Sequence, residues 1–329
     1  MSNLGCTFFP FPLFPNSQLD YECIICCSQE TFWAASDFGW AVGHSYIVYG
    51  PLLHGCTAII FEGKPVGTPD PGAFWRVVQQ YCVTSLFVAP TVLRTLKKED
   101  PNATFIAKYP MPSLRSLFLA GERSDSDSLK WAASHLNVPV IDHWWMTETG
   151  WPITAQCLGI SAAKTKIGAA GRPVPGFQVE VLSDSGQQVP PGSFGNIVVK
   201  LPLPPGTLPT LWKNDERYKS SYTARFPGYF DTGDAGFIDR EHYVHVMSRT
   251  DDLINVAGHR LSTGTIEEVL LSHSKIAEVA VIGAADKMKG EKPVGFIVLK
   301  AGVPAADGPK VIKETIEKVR QEYVSTYLI

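Results

Sequence analysis

The chain has 329 residues, of which 45% are hydrophobic and 19% are charged, and its formal net charge is −3. This length is sufficient for two domains, and the composition is that of a globular protein rather than a disordered one. The near-neutral charge excludes a general attraction to nucleic acid or to anionic membranes, so an anionic ligand must be bound by local groups.

The segment from residue 45 to residue 142 alternates between short apolar runs and helical patterns. We predict strands at 45–49, 57–63, 84–90, 114–122 and 138–143, and helices at 72–82, 91–100 and 126–136. This alternation indicates parallel strands with helices packed outside. Ligands bind beyond the carboxyl ends of the strands in such sheets, and polar clusters follow two of these strands, at 120–123 and 142–150.

The pattern changes after residue 176. Residues 176–201 contain two alternating strands around turn residues, which predicts a small antiparallel, β-rich part. From about residue 250, short strands alternate with a helix at 262–273, capped by Ser262, and a long amphipathic helix at 308–324. The predicted fold class is therefore an α/β large domain with parallel sheets and flanking helices, followed by a smaller α+β C-terminal domain.

Two adjacent tryptophans, Trp144 and Trp145, follow the strand that ends at Asp142. Neighbouring side chains of an extended chain point in opposite directions, so at most one of them is expected to fill an ordinary core face. Thr147 and Glu148 come directly afterwards. A hydroxyl can donate to a phosphate oxygen and a carboxylate can hold Mg²⁺, although a helix-capping loop explains the same residues.

Two later clusters are also polar. Gly233 precedes Asp234, which predicts a sharp turn that exposes a carboxylate suited to a ribose diol, with a simple turn as the alternative. Arg249 and Arg260 bracket an acidic pair. Such arginines fit a phosphate or sugar site, and a salt-bridged surface turn is the alternative.

In their order, these segments resemble the adenylate-forming acyl-CoA synthetases, and within them the short-chain acetate and propionate group. The resemblance is carried by WAASDFGWAVGHSYIVYGPLLHG, LFLAGER, DHWWMTETG, FGNIVVKLPLPPG, DTGDAG and SRTDDLINVAGHRLSTGTIEEVL. It implies the adenylate-forming synthetase fold in incomplete form. Residues 32–250 would be a partial large domain, residues 251–329 a partial mobile C-terminal domain, and residues 1–31 a segment that does not match.

The resemblance also implies a site. Thr147 would bind the α-phosphate and Glu148 would hold Mg²⁺, as the catalytic pair. Trp144 would stack on adenine and Trp145 would wall the acyl pocket, so that neither is needed for the core. The implied nucleotide-binding residues are Gly121, Glu122, Arg123, Asp142, His143, Trp144, Trp145, Met146, Thr147, Asp234, Arg249 and Arg260.

Further roles follow from the same resemblance. They are Val42 in the acyl pocket, Ala257 and Arg320 for coenzyme A, Asp251 as the hinge, and Leu271, His273 and Ile276 for a cation bound through backbone carbonyls. In the implied reaction, a carboxylate and ATP give acyl-AMP and pyrophosphate, and coenzyme A then displaces AMP. Pocket reasoning does not separate acetate from propionate, since one methylene is worth only about 1–3 kcal/mol in an apolar pocket.

Two features of that family do not occur in the sequence. A Ser/Thr/Gly-rich phosphate loop ending in Pro-Lys-Gly is expected upstream of Phe32, and a late lysine is expected after the last helix; neither is present. We therefore expect the sequence to be truncated at both ends. The hypotheses are a short-chain acyl-CoA synthetase, a catalytically inactive fragment that binds nucleotide or coenzyme A, and a structural protein without a ligand.

The family likeness implies small-molecule substrates and the mitochondrial matrix. No Lys or Arg precedes Lys64, which is not typical of a signal or transit peptide, so a cytoplasmic location is the alternative. No run of 18 uninterrupted apolar residues occurs, and neither a membrane span nor a nucleic-acid partner is expected.

Overall fold

The structure is a computed structural model, and it describes residues 29–158, 165–256, 259–300 and 302–327. The chain divides into two compact units, residues 1–232 with 237–246 and residues 233–236 with 247–329. Among the described helices, none combines the length and the apolar character that crossing a membrane requires.

A five-stranded sheet forms the centre of the first unit, in the order β2-β1-β3-β4-β5. Its strands are β1 (Thr31–Ala34), β2 (Thr57–Ala58), β3 (Ser85–Val88), β4 (Ser116–Leu119) and β5 (Val140–Asp142). Each adjacent pair is parallel, as the alternation predicts, although β1 itself is not among the predicted strands. The helices between them are α1 (Gly50–His54), α2 (Ala73–Gln80), α3 (Pro90–Glu99), α4 (Thr104–Lys108) and α5 (Ser126–Leu136).

Both faces of β1, β3, β4 and β5 are buried, because alternate residues of each of these strands belong to different core clusters. Phe87 and Phe118 lie in one cluster, whereas Leu86 and Leu117 lie in the other, which also contains the apolar residues of α2, α3 and α5. Burial on both faces explains why these strands are continuous apolar runs in the sequence.

The strand predicted at 45–49 is wrong. Residues Gly43–Tyr49 form a π-helical turn that leads directly into α1. Buried positions recur there at helical spacing, at Val42, Tyr46 and Gly50, so tertiary packing overrides the β propensity of the Tyr-Ile-Val-Tyr run. The predicted strand at 57–63 is shortened to the two residues of β2.

Two further sheets follow the parallel one. The three-stranded antiparallel sheet comprises β6 (Trp144–Trp145), β7 (Pro152–Ala155) and β8 (Arg172–Pro173). The four-stranded sheet, in the order β12-β11-β10-β9, comprises β9 (Val179–Leu182), β10 (Gly195–Lys200), β11 (Tyr229–Ile238) and β12 (Val244–Arg249). The predicted antiparallel pairing of 176–201 is confirmed by β9 and β10. Between β10 and β11 lie α6 (Asp215–Tyr218) and a π-helical turn, Lys219–Thr223.

The second unit contains a four-stranded sheet, in the order β14-β13-β16-β15. Its elements are β13 (Leu253–Val256), β14 (His259–Ser262), α7 (Thr263–Leu271), β15 (Ile276–Asp286), β16 (Gly290–Leu299), a 3₁₀ turn (Ala305–Asp307) and α8 (Gly308–Tyr327). Ser262 caps α7 as predicted, since its hydroxyl accepts the Thr265 N–H at 3.2 Å.

Candidate active site

The two polar clusters of the first unit lie at the same edge of the parallel sheet. Strands β4 and β5 are neighbours, and Leu119 pairs with Asp142 in their register. The segments that follow, Gly121–Arg123 and His143–Gly150, therefore leave from adjacent strand ends. This is the edge at which open α/β sheets bind ligands.

Glu122 is engaged by the first turn of α3. Its Oε1 accepts the Thr91 N–H at 2.6 Å and also the Thr91 hydroxyl, and its Oε2 pairs with Arg94 at 2.9 Å. A carboxylate at a helix N-terminus satisfies an N–H that has no intrahelical partner. Glu122 thus ties the loop after β4 to α3, and nothing in the sequence pattern indicates its contacts with Thr91 and Arg94.

Asp142 and His143 are two titratable groups in enclosed surroundings at the end of β5. Burial raises the pKa of Asp142 from 3.8 to about 7, and the positive charge of Arg123 opposes that rise. Burial lowers the pKa of His143 to about 3. His143 is 2% exposed, and its Nε2 lies 3.1 Å from the Tyr46 hydroxyl oxygen. Both groups are therefore favoured in their neutral forms.

Asp142→Asn is expected to change the pH dependence of stability. Because the folded pKa is raised, the stability that a protonated Asp142 contributes is complete below pH 3.8 and is lost as the pH rises to about 7. The free energy of unfolding of the wild type, minus that of the variant, should fall across this window in urea titrations. A constant difference would contradict the raised pKa of Asp142.

The comparison with Asp142→Asn is needed because the titration of His143 changes the stability in the opposite direction. Its lowered folded pKa makes stability fall as the pH drops from 6.5 towards 3. The wild-type profile therefore combines two opposing slopes. Subtracting the Asp142→Asn profile removes the slope that both proteins share and leaves the contribution of Asp142.

The two tryptophans differ in burial. Trp144 is 8% exposed and belongs to the core cluster that also holds Val42 and Tyr46, so the expectation that neither tryptophan is needed for the core is wrong. Trp145 is partly buried at the border of that cluster, with its ring 5.1 Å from the Tyr46 ring. Val42 and Trp145, the two implied acyl-pocket residues, are thus brought to the same cluster.

The turn after the tryptophans is organised by Thr149. Its hydroxyl accepts the Met146 N–H at 3.2 Å and lies within donating distance of the Met146 and Trp151 carbonyl oxygens. The Thr147 side chain, by contrast, is exposed at the surface of the same turn. Thr149 therefore has the structural role and Thr147 remains open to a ligand.

Glu148 lies beside Thr147 and is partly buried. Its Oε1 accepts a hydrogen bond from the Tyr222 hydroxyl at 2.6 Å, and its backbone carbonyl accepts the Leu208 N–H at 2.7 Å. Nothing in the sequence pattern indicates Tyr222, since 74 residues separate it from Glu148. One carboxylate is thus held in a fixed position beside an exposed hydroxyl.

This arrangement fits Mg²⁺ that arrives with a nucleotide. Within the described residues, no group of three or more His, Cys, Asp or Glu side chains could hold a metal ion. Mg²⁺ is usually held by one or two carboxylates together with water and substrate phosphates. Glu148 can supply that single carboxylate, whereas a cage made entirely of protein ligands is not formed by these residues.

The Asp234 cluster belongs to the second unit and differs from its prediction. DTGDAG lies inside β11 and is not a turn, and Asp234 is 8% exposed, so the predicted exposure of its carboxylate is wrong. Its Oδ1 lies 3.5 Å from Nη1 of Arg249. At Gly233 the φ angle is +68°, and a Cβ would come within 2.5 Å of the Arg249 guanidinium. Glycine therefore permits the close approach of Arg249.

The other implied residues of the second unit are placed as follows. Asp251 follows β12 with an exposed carboxylate 3.5 Å from Nε of Arg249. Arg260 is described by its backbone alone, which pairs with Asn255. Arg320 is exposed on α8, and Ala257 lies outside the described residues.

The proposed backbone cation site lies at the end of α7. Leu271 is the last residue of α7, and the His273 carbonyl accepts the Ile276 N–H at 3.0 Å. The His273 ring is 3.0 Å from the Glu314 carboxylate of α8. The three carbonyls implied for the cation, those of Leu271, His273 and Ile276, thus lie near each other in the sequence. The His273 carbonyl already accepts a hydrogen bond within the chain.

The family of the chain follows from its likeness to known proteins. The family model of AMP-binding enzymes matches residues 16–206, more than half of the chain. The chain belongs to the AMP-binding enzyme family. The model of the AMP-binding enzyme C-terminal domain matches residues 265–327 in addition. The resemblance drawn from the motifs is therefore confirmed.

Curated members of the AMP-binding family resemble the chain closely. It is 53% identical over 293 residues to the mouse protein "Acyl-CoA synthetase short-chain family member 3, mitochondrial", covering 89% of this chain and 43% of that protein. It is 45% identical over 273 residues to "Propionate--CoA ligase" of Escherichia coli K12, covering 82% of this chain and 43% of that protein. The chain thus spans less than half the length of these relatives.

A solved structure supports the fold of this AMP-binding enzyme. An anthranilate CoA ligase in complex with anthranoyl-AMP superposes with a TM-score of 0.74 at 22% identity, covering 90% of this chain and 54% of that one. At this identity the likeness concerns the fold alone. The predicted α/β class with a smaller C-terminal part is thereby confirmed.

Proposed function

We propose that the protein activates a short-chain carboxylate, propionate or acetate, with ATP and transfers the acyl group to coenzyme A. The observation that carries the proposal is the pair Thr147 and Glu148, an open hydroxyl and a held carboxylate at the ligand-binding edge of the sheet of an AMP-binding enzyme. The names of the relatives, a short-chain acyl-CoA synthetase and a propionate–CoA ligase, support the choice of substrate.

The proposed reaction has two steps. A carboxylate oxygen of the acid attacks the α-phosphorus of ATP, and the bond to pyrophosphate breaks. The coenzyme A thiol then attacks the acyl carbon of the acyl-AMP, loses its proton and releases AMP. Holding the two reactants in line accounts for much of the catalysis in reactions of this kind.

The side chains of the first unit have separate tasks in this proposal. Thr147 donates a hydrogen bond to the α-phosphate and so orients it for attack. Glu148 would hold Mg²⁺, which, when bound, neutralises phosphate charge. Trp145, at the border of the Val42 cluster, limits the length of the acyl chain. This side of the proposed acyl pocket is apolar, which is consistent with either acetate or propionate as the substrate.

The second unit contributes a polar cluster to the proposal. Asp234 is proposed to accept hydrogen bonds from the ribose hydroxyls, and Nη1 of Arg249 lies 3.5 Å from this nearly buried carboxylate. Arg260 is proposed to contact a nucleotide phosphate, Ala257 and Arg320 to contact coenzyme A, and Asp251 to act as the hinge. The support for the roles of Arg260, Ala257 and Asp251 is the motif likeness, and Arg320 lies within the residues that the C-terminal domain model matches.

Pyrophosphate exchange tests the proposed function. The 329-residue chain is incubated with ATP, Mg²⁺, propionate and labelled pyrophosphate, and label in ATP is measured. We expect incorporation that depends on propionate, since only reversible acyl-AMP formation returns the label to ATP.

The mitochondrial names of the relatives support a mitochondrial location for this activity, with the cytoplasm as the alternative.

A further inference from the structure

Tyr222 makes the hydrogen bond that fixes one oxygen of Glu148. The distance from its hydroxyl to Oε1 is 2.6 Å, in the range of a strong hydrogen bond to a carboxylate. Tyr222 lies in the π-helical turn Lys219–Thr223, outside every motif that carries the family resemblance. It is therefore a contact of the candidate site that neither the motifs nor the names of the relatives assign.

The Tyr222 ring is itself held in place. It stacks on the fully buried ring of Phe230, with 5.0 Å between centroids and 4° between planes. The ring of Tyr218 lies 5.5 Å away and packs with it against the same core cluster. A ring fixed by stacking presents its hydroxyl from one direction, so the hydrogen bond also fixes the orientation of the carboxylate.

We propose that Tyr222 is a positioning residue that orients Glu148 towards the nucleotide-borne divalent cation. The inference rests on the proposed function, in which Glu148 is the protein ligand of that cation. With Oε1 bound to Tyr222, Oε2 would be the oxygen that holds the cation, and the hydrogen bond from the Leu208 N–H to the Glu148 carbonyl fixes the backbone of the same residue. Partners that orient a metal ligand typically change metal affinity by about 10- to 100-fold when removed.

The test measures metal binding rather than turnover. Mn²⁺ replaces Mg²⁺ as a probe because it takes the same oxygen ligands and its free form is seen by electron paramagnetic resonance. The 329-residue chain is titrated with Mn²⁺ in the presence of a non-hydrolysable ATP analogue. The proteins compared are the wild type, Tyr222→Phe, Glu148→Gln and the double variant.

A second tyrosine–glutamate pair provides the matched control. The Tyr229 hydroxyl donates to Oε2 of Glu180 at 2.9 Å in the same unit, and neither residue belongs to the proposed site. Tyr229→Phe removes the same atom from the same kind of contact. It should leave the Mn²⁺ affinity at the wild-type value.

Tyr222→Phe is expected to weaken Mn²⁺ binding by about 10-fold, and to have no further effect when Glu148 is already glutamine. Wild-type affinity in Tyr222→Phe, with a clear loss in Glu148→Gln, would overturn the positioning role alone. Wild-type affinity in Glu148→Gln would overturn both the positioning role and the metal role in the proposed function. An equal loss of Mn²⁺ affinity in Tyr222→Phe and Tyr229→Phe would indicate a general loosening of the fold. This result would also overturn the positioning role of Tyr222.

Discussion

Glu148→Gln is expected to lower the rate of propionate-dependent pyrophosphate exchange by about 100- to 1000-fold. Glutamine keeps the size of the side chain and can still accept the hydrogen bond of Tyr222, which lies 2.6 Å from Oε1. It lacks the negative charge that makes a carboxylate a stronger ligand of a hard cation than an amide oxygen. The loss is thus assigned to the metal, and it is measured as the initial rate of exchange at saturating ATP and Mg²⁺.

Glu180→Gln is the control for this prediction. Glu180 also accepts a tyrosine hydroxyl, that of Tyr229, and lies in β9 away from the proposed pair. The same loss of charge there should leave the exchange rate unchanged. If Glu148→Gln retained the rate of Glu180→Gln, Glu148 would not be the cation ligand, and the proposed role of the Thr147–Glu148 pair would be wrong.

Phe118→Ala is expected to lower the free energy of unfolding by about 3–5 kcal/mol. Phe118 is fully buried in β4, between β3 and β5, and faces the cluster that contains Tyr46 and Trp144. Truncation to alanine loses the burial of the ring and leaves a cavity that a sheet paired on both sides cannot close. Urea denaturation, followed by tryptophan fluorescence, measures the change.

Phe194→Ala is the matched control, because Phe194 is 36% exposed in a loop of the same unit. Its truncation should change the unfolding free energy by at most about 0.5 kcal/mol, as for most surface substitutions. Equal losses at the two positions would show that the face of β4 towards Tyr46 is not the closely packed core that supports the site.

The parallel sheet could be predicted from the sequence because its signals are local. The runs that became β3, β4 and β5 are apolar on both faces, and the helix α5 between two of them is capped by Asp125, which accepts the Ser128 N–H at 2.8 Å. Sequence order alone then places the ends of β4 and β5 at one edge. The Thr147–Glu148 turn was found in this way.

The errors arose where distant residues decide the local structure. Tyr46 lies in a helical turn because its ring packs against Phe87 and Trp145 and its hydroxyl meets His143, 97 residues away. DTGDAG became part of a strand because β11 lies between two other strands of its sheet. The partner of Glu148, Tyr222, was missed for the same reason.

Pyrophosphate exchange by the 329-residue chain tests the central claim most directly, that Thr147 and Glu148 belong to an acyl-adenylating site. AMP binding is measured beside it by calorimetry. We expect label in ATP that requires propionate or acetate and disappears in Glu148→Gln. AMP binding without any exchange would contradict it and would identify an inactive nucleotide-binding protein, and the absence of both would contradict nucleotide recognition as well.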